Sequence, residues 1–72
     1  MGFTAVIQKE SKGYVAKALE IEIASQGKTI DGAIANLKEA LGLYLKHADA
    51  KEIKALQKKQ FRLLIAPIEV LV

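Results

Sequence analysis

Glu20 and Glu22 stand two residues apart, the spacing that sets two carboxylates on one face of a strand. Such a pair is suited to holding a divalent cation or to sharing acid and base work. Either task needs more ligands, and no histidine or aspartate lies at ligand spacing from them. Leu19, Ile21 and Ile23 alternate with the two glutamates, so the simplest reading is a strand face kept in water by charge. His47 is the sole histidine, near the end of a helical pattern, where a positive charge suits the helix's negative pole. Ser25 and Thr29 have no base close in sequence, and turn and capping roles account for both. Cysteine is absent, which excludes disulfides, thiol catalysis and cysteine-held zinc. The expectation is a protein that is not an enzyme, with no catalytic residue, no metal site and no cofactor.

Positive charge gathers late in the chain. Lys46, Lys51, Lys54, Lys58, Lys59 and Arg62 are opposed there only by Asp49 and Glu52. With a net charge of +3 and a pI near 9.3, such a run can touch phosphates. No interleaved aromatic residues offer a stacking surface for bases, so a solvated helix face is the simpler reading. A minimal RNA-binding domain using residues 46–62 stands as the alternative function.

The chain is 72 residues long and reads as one domain over residues 1–72. A domain of that size buries only about 60% of its unfolded surface, yet 51% of these residues are hydrophobic. The excess points to self-association or to a partner surface. Lys9, Glu10 and Lys12 interrupt the first apolar stretch, so no secretory leader is expected. The last apolar tract, residues 63–72, contains Pro67 and Glu69 and falls well short of the ~18 residues that span a bilayer. A soluble cytoplasmic protein without membrane contact is the expectation.

Residues 3–9 alternate with period two, and the polar Glu10-Ser11-Lys12-Gly13 reverses the chain. Residues 14–18 and the strictly alternating residues 19–23 predict a second and a third strand. Thr29 has the side chain to cap a helix, with Asp31 in its first turn. Ile30, Ala33, Ile34, Leu37, Leu41, Tyr44 and Leu45 form an apolar stripe, predicting a helix to about Lys46. Asp49 and Glu52 have capping-box spacing ahead of a short helix over residues 50–58. Residues 61–72 are apolar at both parities and predict a closing strand, with Pro67 at a bulge or on an edge. The fold class is α+β, a β-β-β-α-(α)-β sandwich of two layers with one main helix. A strand apolar on both faces, under one helix, predicts a homo-oligomer. A dimer is expected, with Ile68 and Val70 as the self-association residues.

Four pieces, taken together, have a familiar look: Phe3-Thr4-Ala5-Val6-Ile7, Gly13-Tyr14-Val15-Ala16, Ser25-Gln26-Gly27-Lys28-Thr29 and Asn36-Leu37-Lys38-Glu39-Ala40. They resemble the HicB-like antitoxins. The resemblance implies a partial ribonuclease H-like sheet, with three antiparallel strands, a helix and a fourth strand beside the first. It also implies a protein that binds and silences a small HicA-type ribonuclease toxin, with Glu20 and Glu22 as candidate partner-binding residues. Typical members carry a proline-rich segment where this chain has residues 18–23, and a glutamate three residues after the cap threonine where it has Gly32. Longer members append a DNA-binding domain; this sequence ends with the predicted sheet, so direct DNA binding is not expected.

Overall fold

The computed structural model describes residues 1–71, with the side chains of Phe61 and Arg62 left aside. Three strands precede two helices: β1 (Ala5–Glu10), β2 (Gly13–Ala18), β3 (Ala24–Gly27), α1 (Ile30–His47) and α2 (Ala50–Arg62). The sheet is antiparallel in the order β1-β2-β3. Glu10 pairs with Gly13 across a two-residue turn made by Ser11 and Lys12. Gly13 has φ +156, a conformation that L side chains rarely adopt.

The layer above the sheet is α1, which packs on β2 and β3. Ala16, Ala18, Ala33, Leu37 and Leu41 form the buried core, flanked by half-buried Phe3, Ile7, Tyr14, Ile21 and Ile23. Small residues at 16, 18 and 33 let the helix lie close to the sheet, and Leu37 and Leu41 complete the buried contact. Thr29 starts α1 as expected of a cap: its Oγ1 accepts from the Gly32 N–H at 2.9 Å. Ala48 closes the helix by donating to the Tyr44 carbonyl at 2.9 Å. Asp49 then caps α2, accepting from the Glu52 N–H at 2.8 Å. The Glu52 carboxylate accepts from the Tyr44 hydroxyl at 3.2 Å, tying the two helices together.

The α+β class and the two layers are those expected from the pattern; three details differ. The third strand is not residues 19–23. Residues 19–22 form a bend, held by Ala18 N–H donating to the Ile23 carbonyl and Ile23 N–H to the Ile21 carbonyl, and the strand follows it. The alternation holds there only in part: Ile21 and Ile23 turn inward without a ladder, while Leu19 is exposed and Glu20 is buried. The second helix runs on from 58 to 62, since residues 57–62 contain no glycine or proline to stop it. The expected closing strand is not formed over the described residues 63–71; Val72 lies outside them. Pro67 bars helix at Ala66, and the segment meets no strand edge. Its apolar side chains are therefore in water: Leu64, Ile65, Ile68, Val70 and Leu71 are all exposed.

Candidate functional site

The bend separates the two glutamates that the alternation had placed on one face. Glu20 turns inward, 7% exposed, and both its carboxylate oxygens lie 2.9 Å from the Thr4 backbone nitrogen. Beside it, Leu19 N–H donates to the Thr4 carbonyl at 2.9 Å. The carboxylate thus fastens the N-terminal segment to the bend and stands in for the partner a sheet would have supplied. Glu22 points into water, its side chain 93% exposed, with its nearest cation the Lys17 Nζ at 3.9 Å. A pair so placed cannot hold one ion between them. Among the described residues no group of three or more histidines, cysteines or carboxylates converges as a metal site would require.

Lys17 belongs to the sheet face that α1 leaves uncovered. Pairing of Val6 with Lys17, Gln8 with Val15 and Val15 with Gln26 puts these side chains together on that face. Val6, Gln8, Lys17 and Gln26 are exposed, and Val15 is half-buried. This is a mixed surface with an apolar centre, and Glu22 and Lys17 stand at one border of it.

At the other end of the sheet, Tyr14 pairs with Gly27, which brings the Gly13-Tyr14-Val15 and Gln26-Gly27-Lys28 pieces into one corner. With Glu10, Ser11 and Lys12 they line a shallow cleft of about 340 Å³. Both glycines are needed for close approach. A Cβ on Gly13 would lie 2.5 Å from the Gly27 carbonyl oxygen, and one on Gly27 would lie 2.5 Å from the Ala33 nitrogen. The Asn36 side-chain amide donates to the Gln26 carbonyl at 2.7 Å, locking α1 to the end of β3. The Lys9 ammonium sits 5.9 Å above the Tyr14 ring. These residues build the corner, and its exposed rim is Ser11, Lys12 and Lys28.

His47 is exposed in the last turn of α1 beside Lys46. The Tyr44 hydroxyl holds its proton more tightly than a free phenol does. Partial desolvation, the hydrogen bond to Glu52 and the charges of Glu52 and Asp49 raise its hydroxyl above the ordinary 10.0. On α2, Lys51, Lys54, Lys58 and Lys59 are all exposed.

Periodicity did not reveal one feature. Between α1 and the start of β1 runs an apolar groove of about 460 Å³, lined by Met1, Phe3, Ala5, Ile34, Leu41 and Leu45 among others. It exists because α1 sits over β2 and β3, leaving the inner side of β1 partly roofless. Ile34, Leu41 and Leu45 belong to the apolar stripe that the sequence shows, but nothing in the sequence says that part of that stripe stays uncovered.

No protein-family model matches the chain, and no solved structure matches it. A curated protein does: the "UPF0150 protein" of Helicobacter pylori (strain J99) is 42% identical over 71 residues, covering 97% of this chain and 96% of that one. No helix among the described residues is long and apolar enough to cross a membrane. At that identity over nearly the whole length of both proteins, the chain belongs to the UPF0150 protein family.

Proposed function

We propose that this protein is a HicB-like antitoxin that binds a small HicA-type ribonuclease in the cytoplasm and occludes its working surface, with no catalytic activity of its own. The observation that carries the reading is the corner where β2, β3 and α1 meet. Three of the four sequence pieces that resemble the antitoxins, residues 13–16, 25–29 and 36–40, hold the glycines and the Asn36 that build this corner. Near-full-length similarity to a UPF0150 protein supports the same reading. The uncovered sheet face, with Val6 and Val15 at its centre and Lys17 and Glu22 at its border, is the surface offered to the toxin. It combines apolar area with charges able to set register, as partner surfaces do. Glu22 is the glutamate assigned to recognition; Glu20 is engaged by Thr4.

The test is to purify the chain with the small ribonuclease encoded beside its gene and to follow cleavage of labelled RNA. A stoichiometric loss of cleavage is expected, relieved by Val6→Asp or weakened by Glu22→Arg in a chain that still folds. A ribonuclease that stays fully active at saturating protein would overturn the proposal. Direct RNA binding lost on replacing Lys51, Lys54 and Lys58 would put the minimal RNA-binding domain in its place.

A further inference from the structure

The apolar groove, the free edge of β1 and the unseated segment 63–71 fit one another as a strand fits its slot. Among the described residues β1 is an edge strand, paired with β2 alone. The Thr4 carbonyl accepts from Leu19 N–H, so Thr4 turns its polar groups towards β2. Alternation along the pleat then turns Val6, Gln8 and Glu10 the same way and leaves the N–H and C=O groups of Ala5, Ile7 and Lys9 on the open edge. Ala5 and Ile7 also face the helix layer, since they oppose the buried Ala18 and Ala16. The open edge and the groove therefore share one set of residues.

In an antiparallel ladder, directly opposed residues share a face and exchange their hydrogen bonds. A strand added to Ala5, Ile7 and Lys9 in that sense must put its bonding residues on the groove side. Leu64, Ala66, Ile68 and Val70 are apolar throughout and keep their N–H donors. The alternate set contains Pro67, which has no donor, and Glu69, and would face outwards. A parallel strand reverses this logic: with Pro67 pointing away from β1, Pro67 and Glu69 would lie over the groove. Residue parity selects the antiparallel sense.

The chain's own tail enters at the wrong end for that. The Gln60 side-chain amide donates to the Gly2 carbonyl, so α2 finishes beside the beginning of β1. A tail laid back from there runs parallel to β1. An antiparallel strand must enter from the Glu10 end, and a second copy can supply it. We propose that the protein forms a two-fold dimer in which residues 63–71 of each copy lie antiparallel along β1 of the other, with Ile68 and Val70 in the groove. Residues 63–71 extended reach ~30 Å against ~20 Å for β1, enough to cover the edge. The radius of gyration, 14.1 Å, exceeds the ~11 Å of a compact chain this long, in keeping with a tail that does not fold onto its own sheet. The inference stands independently of the toxin reading.

Light scattering and circular dichroism of the full chain test it, alongside engineered cysteines, since none is native. The full chain should have the mass of a dimer from low to high micromolar concentration. Ile68→Asp should lose the dimer while keeping the helical signal, because Ile68 is exposed within one copy. Mixing an Ile7→Cys chain with an Ile68→Cys chain should give a disulfide-linked heterodimer on oxidation. A monomeric full chain, an Ile68→Asp variant that stays dimeric, or one that loses its helices would overturn the proposal. So would an intrachain bridge in the doubly substituted chain, which would place the tail on its own β1.

Discussion

Replacing Glu20 by alanine should destabilise the fold through one backbone group. In the native chain both Glu20 oxygens lie 2.9 Å from the Thr4 nitrogen, in a side chain only 7% exposed. A hydrogen bond to a charged partner contributes about 1.5–3 kcal/mol, and a part-buried N–H left without one adds to the loss. We expect about 2 kcal/mol, which in a domain of this size lowers the melting temperature by about 8–16 °C. Glu20→Gln keeps an acceptor oxygen and should lose roughly half as much. Glu22→Ala is the control, because an exposed side chain 3.9 Å from its cation contributes little; its change should stay within about 0.5 kcal/mol. Thermal and urea unfolding by circular dichroism measure the three variants, and amide exchange at Thr4 reports the bond itself. An unchanged melting temperature in Glu20→Ala, with Thr4 exchange unaltered, would refute the structural role and return Glu20 to the partner surface.

Thr29→Ala should cost about 1 kcal/mol by leaving the Gly32 N–H uncapped, and urea unfolding with an unchanged midpoint would exclude the cap. Two glycines should respond oppositely to alanine. Gly27→Ala drives a Cβ to 2.5 Å from the Ala33 nitrogen and should destabilise by about 1–3 kcal/mol. Gly42→Ala meets nothing within 4 Å inside α1 and should stabilise by about 0.5–1 kcal/mol; paired melting curves decide both. Tyr44 gives a pH dependence. Its hydroxyl is raised above 10.0 on folding by partial desolvation and by Glu52, so folding favours the protonated form. The contribution is complete below the unfolded value and is lost as pH rises through the folded one. Tyr44→Phe should remove that alkaline loss, and superimposable stability–pH curves for the two proteins would refute it.

Local patterns were legible because local chemistry decides them. The turn at residues 11–12, the Thr29 and Asp49 caps and the stripe of α1 each depend on neighbours within a few residues, and each formed where its pattern stood. The resemblance carried by residues 13–16 and 25–29 could also be read, since the glycines are constrained by close backbone approach. The alternation of residues 19–23 misled because burying every second side chain does not require a ladder. A bend buries Ile21 and Ile23 equally well once Glu20 satisfies Thr4 from across the fold.

What residues alone determined is therefore the class of the fold, its caps and its surplus of apolar side chains. Only the tertiary structure decided that Glu20 is a fastening and Glu22 a surface charge, that α1 leaves part of β1 unroofed, and that residues 63–71 stay off their own sheet. The reason is physical: periodicity states which side chains avoid water, but the element that shields them is chosen by contacts between distant parts of the chain.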